Sequence, residues 1–287
     1  MRGSSRARKI GAALVVFSCV LATGAASAPS PSGHSVAPRP YALDNPAGVL
    51  PTPEGAVLVA ERGTRNRILR VNPATGAFTT FARGVPAPFA LAYDAAGSLL
   101  VSTTSGLFRI GRDRKPVRIS DHGVSPFAVL PDGAIVFAHE LSVGMIPSGG
   151  GAPRLLRAQV GFAHGLVLLP DGRVAISDTG NGRLLRVDLG SGAATVLTRA
   201  VKTPMGLALE PTGSLLVVDF DRGRVARVSP SGASRTVAKG LKRPYGLARV
   251  PSGAMFVTEV GEVTRATGGL ARISRAGRVT RVRLTPH

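Results

Sequence analysis

A unit of about forty residues recurs six times in this chain of 287 residues. Each unit carries a glycine turn between two apolar runs, and successive turn glycines lie 42, 36, 39, 41 and 40 residues apart. These glycines are Gly55, Gly97, Gly133, Gly172, Gly213 and Gly253. Residues 161–201 show the full unit, in which Pro-Asp-Gly and Gly/Ser/Asn turns separate four short runs, as between antiparallel strands. This period is typical of propeller blades, so we predict an all-β fold, a six-bladed β-propeller of four-stranded antiparallel blades spanning residues 41–287.

Other repeat architectures agree less well with the sequence. A tryptophan-aspartate propeller needs a Trp-Asp dipeptide in each blade, and this chain contains no tryptophan. A parallel β-helix repeats at roughly half this period or less. No window beyond the N-terminus shows the periodicity of an amphipathic helix. The closure of the ring stays open, because either the residues before Asn45 or the run at 278–284 could supply the outer strand of the last blade.

The first 28 residues have the three parts of a secretory signal peptide. Four basic residues precede an apolar core at 10–21, and Ala26-Ser27-Ala28 forms a small-x-small cleavage site. The apolar core is too short for a membrane span, which takes about 20 residues. We therefore predict a secreted chain cleaved after Ala28, with no transmembrane span, that begins with a flexible Pro/Ser-rich segment at 29–40. A lipid-modified Cys19 is the competing interpretation, and bulky Phe17 argues against it.

Composition narrows the chemistry and the partners. Cys19 is the only cysteine, so disulfides, thiolate catalysis and cysteine zinc sites are excluded from the mature chain. The net charge is +20, and removal of the four basic residues of the signal lowers it to +16. Most arginines fall in the third and fourth strands of the predicted blades, and the few aromatic residues are not interleaved with them, so we expect no nucleic-acid partner. These arginines of the outer strands form a basic rim, which suggests instead an acidic polymer of the cell envelope as a partner.

The repeat places one residue of each blade at the end of its second strand, on the face that surrounds the central funnel. These residues are Glu61, Thr103, His139, Asp178, Asp219 and Glu259. The joints between blades add Asn45, Phe89, Phe127, His164, Met205 and Tyr245. From the two sets we take as ligand-binding candidates Glu61, Thr103, His139, His164, Asp178, Asp219, Tyr245 and Glu259. His139 and His164 belong to neighbouring blades, so we expect that they can approach each other.

Converging carboxylates suit a hard cation, so we assign a metal site to Glu61, Asp178 and Asp219. Calcium is favoured over zinc, because the chain has no His-x-x-x-His pair. A structural interpretation stays open, in which the acids bond backbone amides or pair with arginines such as Arg62. No Gly-x-Ser-x-Gly motif occurs, and the sequence indicates no catalytic residue. The insertion at 259–270 is either a binding loop or a longer surface turn.

Several motifs resemble the NHL repeat and the related gluconolactonase (senescence-marker) propellers. They are Pro170-Asp171-Gly172, Asp178-Thr179-Gly180-Asn181-Gly182-Arg183, Pro204-Met205-Gly206-Leu207-Ala208 and Pro244-Tyr245-Gly246-Leu247-Ala248. The resemblance covers residues 41–284 and implies a six-bladed propeller. It also implies a lactonase whose metal ligands include an Asn and an Asp in two of the joints, where this chain has Met205 and Tyr245.

We therefore expect a secreted, monomeric propeller that binds a small molecule or a protein on its funnel face, together with a structural divalent cation. The alternative is a metal-dependent lactonase or esterase-type hydrolase that uses Asp178, Asp219 or His164 around the metal. A third hypothesis is an envelope-associated scaffold that works through the basic rim.

Overall fold

The computed structural model describes residues 41–261 and 266–287. The predicted signal peptide, the Pro/Ser-rich segment and part of the insertion at 259–270 lie outside the described residues. The described residues form six blades of four antiparallel strands, one for each repeat, with a single short 3-10 turn at Thr179–Asn181; a fifth strand joins the sheet of blade 1. The prediction of an all-β six-bladed propeller is confirmed. Nowhere in the described ranges does a helix have the length and apolar character needed to cross a bilayer.

Each blade consists of four consecutive strands. Blades 1 and 2 contain β1 (Pro46–Pro51), β2 (Val57–Glu61), β3 (Arg67–Val71), β4 (Ala77–Arg83), β5 (Leu91–Tyr93), β6 (Leu99–Thr103), β7 (Gly106–Ile110) and β8 (Pro116–Ser120). Blades 3 and 4 contain β9 (Phe127–Val129), β10 (Ile135–His139), β11 (Ser142–Ile146), β12 (Arg154–Gln159), β13 (Ala163–Leu168), β14 (Val174–Asp178), β15 (Arg183–Val187) and β16 (Ala194–Thr198). Blades 5 and 6 contain β17 (Pro204–Leu209), β18 (Leu215–Asp219), β19 (Arg224–Val228), β20 (Ser234–Lys239), β21 (Pro244–Arg249), β22 (Met255–Glu259), β23 (Gly269–Ile273) and β24 (Val279–Arg281). A last strand, β25 (Thr285–Pro286), follows blade 6.

The six turn glycines that define the repeat occupy equivalent backbone positions. All six have positive φ, from 78° at Gly97 to 87° at Gly253. Residues with a Cβ are strained in this region, and glycine is not. The glycine period therefore reports the same turn between first and second strands six times, which is why the sequence predicts the fold so well.

The second strand of each blade is the most deeply buried. Every residue of β2, β14 and β18 is buried, because neighbouring blades cover both faces of these strands. Leu58, Ile176 and Leu215 are at most 1% exposed. Burial of a side chain of this size stabilises the fold by roughly 1.5–3 kcal/mol. The main core thus lies between the blades, and the first strands line the axis.

Both ends of the described chain contribute to ring closure. The fourth strand of blade 6 is β24, so the C-terminal run takes the outer place for which two segments competed in the sequence. Leu43 forms an isolated bridge to Gly268 of blade 6, and the Tyr41 amide donates to the carbonyl of Leu284 at 3.0 Å. The final strand, β25, then pairs in parallel with β4 of blade 1. The two ends of the described chain together join blade 6 to blade 1.

Candidate functional site

Strand register identifies one equivalent residue near the start of each first strand, at the funnel. Pro204 pairs with Asp219 and Pro244 with Glu259, so the residues that follow them, Met205 and Tyr245, are equivalent. The same position holds Ala47 in blade 1 and His164 in blade 4, from the pairs with Glu61 and Asp178. Asn45 precedes Pro46 and so lies outside this set, although its carbonyl oxygen accepts from the amide of Arg62 at 3.3 Å in the same joint.

In blades 2 and 3 the backbone hydrogen bonds give the equivalent residues. The amide of Ser102 donates to Ala90, and the amide of Ala138 donates to Pro126. Ala90 and Pro126 are therefore equivalent, and the residues before them are Phe89 and Ser125. Phe127, expected at this position, is instead buried at the start of β9. The ring at the funnel consists of Ala47, Phe89, Ser125, His164, Met205 and Tyr245.

Small residues that follow this ring bring the inner strands close together. A Cβ on Gly246 would lie 2.2 Å from the carbonyl oxygen of Ala47, and one on Gly165 would lie 2.4 Å from that of Met205. Thr258 Oγ1 donates to the same Ala47 oxygen at 2.7 Å, which links blade 6 to blade 1. The axial cavity is accordingly narrow, about 110 Å³.

Three aromatic rings from alternate blades meet above this cavity. Phe89 of blade 2, His164 of blade 4 and Tyr245 of blade 6 have centroids 5.5 to 6.1 Å apart. Both contacts of Tyr245 are edge-to-face, a favourable arrangement of ring quadrupoles. Burial raises the pKa of the Tyr245 phenol. We call this set the aromatic cluster; it closes the funnel with apolar ring faces.

Arg62, the residue after Glu61, lies over the aromatic cluster. Its guanidinium carbon is 4.6 Å from the Tyr245 centroid and 5.1 Å from the Phe89 centroid, and Nη1 donates to the Tyr245 hydroxyl at 3.2 Å. Arg62 Nε is buried without a hydrogen-bond partner. Within the described ranges no carboxylate lies at ion-pair distance from Arg62, so the sequence-based pairing of Arg62 with an acid is wrong. The funnel mouth thus carries the positive charge of Arg62 without a carboxylate to neutralise it.

His164 is held in one orientation. Its Nδ1 is 3.0 Å from the carbonyl oxygen of Phe162 and 3.0 Å from Thr179 Oγ1. Thr179 Oγ1 itself donates to the carbonyl of Pro204, so it accepts from Nδ1, and the proton belongs on Nδ1. Desolvation lowers the pKa of His164 to about 4. The imidazole is therefore neutral at pH 7, and its Nε2, which has no hydrogen bond to any described residue, is a free acceptor.

The predicted acidic candidates are buried, and each has its own set of donors. Glu61 accepts from the amide of Asp44 at 2.8 Å and from Arg67 Nε at 2.7 Å. The other three carboxylates follow the same pattern. Their partners are the amide of Gly161 and Arg183 for Asp178, the amide of Thr203 and Arg224 for Asp219, and the amide of Lys242 and Arg281 for Glu259. Each acid thus fixes the segment that enters its own blade, which confirms the structural interpretation left open by the sequence.

These donors leave the carboxylates unsuited to a metal. Among residues 41–261 and 266–287, no three side chains of His, Cys, Asp or Glu are grouped so that they could hold an ion. The structure does not bring Glu61, Asp178 and Asp219 together, and their oxygens already face arginines. Guanidinium groups beside a cation would repel it. The chain's residues therefore do not fit the calcium site that the sequence suggested.

Two further candidates lie apart from the aromatic cluster. The Thr103 hydroxyl donates to the carbonyl of Gly106 at 3.1 Å, inside its own hairpin. His139 Nε2 is 3.8 Å from a Glu140 carboxylate oxygen, and the ring packs against Gly123. His139 and His164 have no contact with each other among the described interactions. Of the eight candidates, only His164 and Tyr245 therefore belong to the cluster.

The sequence did offer a signal for Arg62, which sequence reasoning had not named as a site residue. The residue after the second strand is Arg62 in blade 1 and an uncharged or acidic residue in every other blade. Its counterparts are Thr104, Glu140, Thr179, Phe220 and Val260. A basic residue that departs from the repeat on the funnel face is the kind of difference that marks a site on a repeated scaffold.

Comparisons with known proteins match the architecture. No family model and no curated protein sequence matches this chain. The fold is similar to a gluconolactonase of Xanthomonas campestris (15% identity, TM-score 0.66, 77% of this chain and 85% of that one). It is also similar to regucalcin of Agrobacterium tumefaciens, described as a calcium-binding protein (18% identity, TM-score 0.62, 86% of this chain and 93% of that one). A third similar structure is virginiamycin B lyase of Staphylococcus aureus, as a catalytically inactive histidine-to-alanine variant with quinupristin (16% identity, TM-score 0.60, 87% of each chain). The chain shares the six-bladed β-propeller fold of these gluconolactonase-like, regucalcin-like and streptogramin B lyase proteins.

Proposed function

We propose that this protein binds a small organic anion at the mouth of its funnel. The observation that carries the proposal is Arg62, a partly buried guanidinium that lies on two aromatic rings and faces no described carboxylate. An arginine fork matches carboxylate and phosphate groups, and its stacking on Phe89 and Tyr245 fixes the plane of that fork. The neutral Nε2 of His164 adds a hydrogen-bond acceptor for a hydroxyl or amide of the ligand.

The size of the ligand follows from the shape of the face. The axial cavity of about 110 Å³ is smaller than the roughly 300–1,000 Å³ of most ligand pockets, so the ligand lies on the mouth and not within the axis. A separate cavity of about 420 Å³ lies between blades 3 and 4 and is lined by Leu141 and Phe162, and the carbonyl of Phe162 contacts His164 Nδ1. Phe162 is 69% exposed and has a φ of 54°, a strained conformation for an aromatic residue. Strain and exposure of this kind are common at binding sites, and they favour a ligand with an apolar part next to its anionic group.

A matched pair of probes tests the proposal: 4-phenylbutyrate, which is anionic, and its neutral amide. Calorimetric titration of the protein should show binding of the acid and at least tenfold weaker binding of the amide. Arg62→Gln should remove this preference. Arg112→Gln, an exposed arginine in a turn of blade 2, is the control and should keep it. Equal binding of acid and amide, or unchanged preference in Arg62→Gln, would contradict the proposed role of Arg62.

A second candidate function is catalysis without a metal, with His164 as general base. A neutral imidazole whose Nδ1–H is fixed presents an unprotonated Nε2 that can accept a proton from water or substrate at pH 7, although its lowered pKa makes it a weaker base than an exposed histidine. Arg62 would stabilise the negative charge that develops on a lactone or ester oxygen. The inactive histidine variant of the similar lyase is consistent with a histidine-dependent reaction on this fold. This candidate replaces the metal-dependent lactonase, because the acids that would hold the metal are already paired.

Hydrolysis of dihydrocoumarin in the presence of excess chelator separates the two functions. If His164 is a general base, the wild type hydrolyses the lactone with chelator present, and His164→Gln is slower by a factor of roughly 10² or more. His139→Gln is the matched control, because this histidine lies outside the aromatic cluster. No hydrolysis supports a binding protein, and hydrolysis that chelator abolishes would contradict the metal-free mechanism.

We further propose that the chain acts after export. The signal-peptide pattern of residues 1–28 supports this proposal. Expression of residues 1–287 in a secreting host should yield a chain that begins at Pro29, measurable by intact mass. A chain retained in the cell with residues 1–28 attached would contradict it.

A further inference from the structure

The strongest unassigned feature is a groove between blades 5 and 6, at the end of the sheets opposite to the funnel. The turns at 211–213 and 251–253 join first to second strands and border the groove, which has a volume of about 640 Å³. Four arginines line it: Arg227, Arg235, Arg249 and Arg275. One carboxylate, Glu210, lines it too and pairs with Arg227 through both oxygens. The groove therefore has an excess of three positive charges.

Two of these arginines depart from the repeat. Arg235 of β20 pairs directly with Arg227 of β19, whereas in the other five blades the corresponding pairs place an arginine opposite Thr, Val or Met. Those pairs are Arg70 with Thr79, Arg109 with Val117, Met145 with Arg154, Arg186 with Thr195 and Arg272 with Thr280. Like charges directly opposite in a sheet are destabilising unless something offsets them. Blade 5 has this arrangement, and blades 1–4 and 6 avoid it.

Arg249 is the second departure. It ends the first strand of blade 6, where the other blades have uncharged residues: Pro51, Tyr93, Val129, Leu168 and Leu209. Its Nε is buried without a hydrogen-bond partner. A Cβ built on Gly253 would lie 3.7 Å from Arg249 Nη2 and 3.6 Å from the side chain of Arg275. The side chains of Arg249 and Arg275 thus approach the same turn, and neither has an acidic partner among the described residues.

The positive surface continues beyond this groove. A neighbouring cavity of about 670 Å³ between blades 6 and 1 shares Pro251 and Ser252 with it and is lined by Arg272 and Arg283. Across residues 231–287 the sequence holds eleven basic and two acidic residues, so the charge of the chain is concentrated in its last blade and a half. Hydroxyls of Thr212, Ser214 and Ser252 line the groove, and no aromatic side chain does. Stacking of nucleic-acid bases is therefore not supported there.

We propose that the groove between blades 5 and 6 binds successive oxyanion groups of an acidic glycopolymer, with Arg235, Arg249 and Arg275 as the primary contacts. Arginine forks suit both carboxylate and phosphate oxygens, and Arg235, Arg249 and Arg275 are the three whose charges Glu210, which is paired with Arg227, does not neutralise. The adjoining cavity allows a chain to extend across the Pro251–Gly253 turn. This site is independent of the funnel, so the failure of one proposal leaves the other standing.

Polygalacturonate and inorganic polyphosphate, titrated against the full chain at 50 and 200 mM NaCl, test the site and distinguish carboxylate from phosphate sources. We expect binding of at least one of them that weakens with salt. Arg235→Gln/Arg249→Gln should weaken it at least tenfold at 50 mM NaCl. The charge-matched control Arg112→Gln/Lys115→Gln, two exposed residues in a turn at the same end of blade 2, should change affinity less than twofold.

Three results would overturn the proposal. The first is absence of binding to both polymers at 50 mM NaCl. The second is equal weakening in both double variants, which shows attraction by net charge alone. The third is tighter binding of a DNA duplex than of either polymer, together with a loss of DNA affinity of at least tenfold in Arg235→Gln/Arg249→Gln. That result would show a nucleic-acid site. Thermal unfolding of each variant checks that the blades remain folded, and the single variant Arg249→Lys, which keeps the charge without the fork, should lose affinity while it keeps the salt dependence.

Discussion

Acid should destabilise this propeller through His164, whose imidazole is held neutral within the aromatic cluster. Burial lowers the pKa of His164 to about 4 in the folded chain, against 6.5 for an exposed histidine. Between these two pH values the unfolded chain binds a proton that the folded chain does not. The free energy of unfolding therefore falls as the pH drops through 6.5, and the loss from this residue stops below about pH 4.

The gap between the two pKa values sets the size of the effect. It corresponds to about 2 kcal/mol of stability lost between pH 7.5 and pH 5, and to about 3 kcal/mol lost by pH 4. His164→Gln cannot titrate but keeps an amide that can donate to the carbonyl of Phe162. The variant should be less stable than the wild type at pH 7.5, and this difference should shrink by about 2 kcal/mol at pH 5.

Urea unfolding followed by circular dichroism at pH 7.5, 6 and 5 measures both proteins. Carboxylates titrate alike in the two, so subtraction isolates His164. The control His122→Gln changes an exposed histidine and should follow the wild-type pH dependence. An equal pH dependence in the wild type and His164→Gln would refute the burial of this imidazole, and the same shift in His122→Gln would assign it to overall charge.

Two further predictions concern the scaffold, and thermal or urea unfolding measures both. Glu61→Gln should destabilise the protein by about 3 kcal/mol, because it leaves the buried Arg67 contact without its charge. The exposed Glu54→Gln should cost less than about 0.5 kcal/mol, and similar costs in the two variants would contradict the structural role of the Glu61–Arg67 pair. Gly246→Ala should cost about 3 kcal/mol, since its Cβ meets a backbone oxygen at 2.2 Å, and Gly149→Ala, with no atom within 4 Å, should be close to neutral; a neutral Gly246→Ala would show that the inner strands are not tightly packed.

The sequence could predict the blades because each blade repeats the same local turn. A glycine with positive φ between first and second strands is a requirement of the backbone, so it recurs at every blade and its period is visible. The sequence also placed Glu61, Asp178, Asp219 and Glu259 at equivalent positions correctly. Their partners were less visible, although hairpin register places Arg183 opposite Asp178 and Arg224 opposite Asp219. In blade 6 the residue opposite Glu259 is Gly269, and the arginine that bonds Glu259 is Arg281 of the fourth strand. The spacing of residues within one hairpin could not predict this partner.

The joints were harder to align, for a physical reason. The first strands of blades 1, 4, 5 and 6 have a register shift at their entry, so counting residues from one motif to the next does not give the partner across the strand. Two joints differ in other ways: Asn45 comes one residue before Pro46, and Pro126 is equivalent to Ala90 and not to the prolines that begin β17 and β21, which moves Phe127 out of the ring. Only the hydrogen bonds of the second strand fix which residue faces the axis.

The contacts that define both candidate sites join residues that a repeat analysis treats as unrelated. Arg62 meets Tyr245 across 183 residues of sequence, and Phe89 meets His164 because alternate blades face one another over the axis. Comparison of equivalent positions reveals what the blades share, and shared residues hold the ring together. Arg62 and Arg249 are each the only basic residue in their set of equivalent positions, and each lies where the structure leaves a guanidinium without an acid. On a repeated scaffold, function is therefore to be sought in the residues by which one blade differs from the rest.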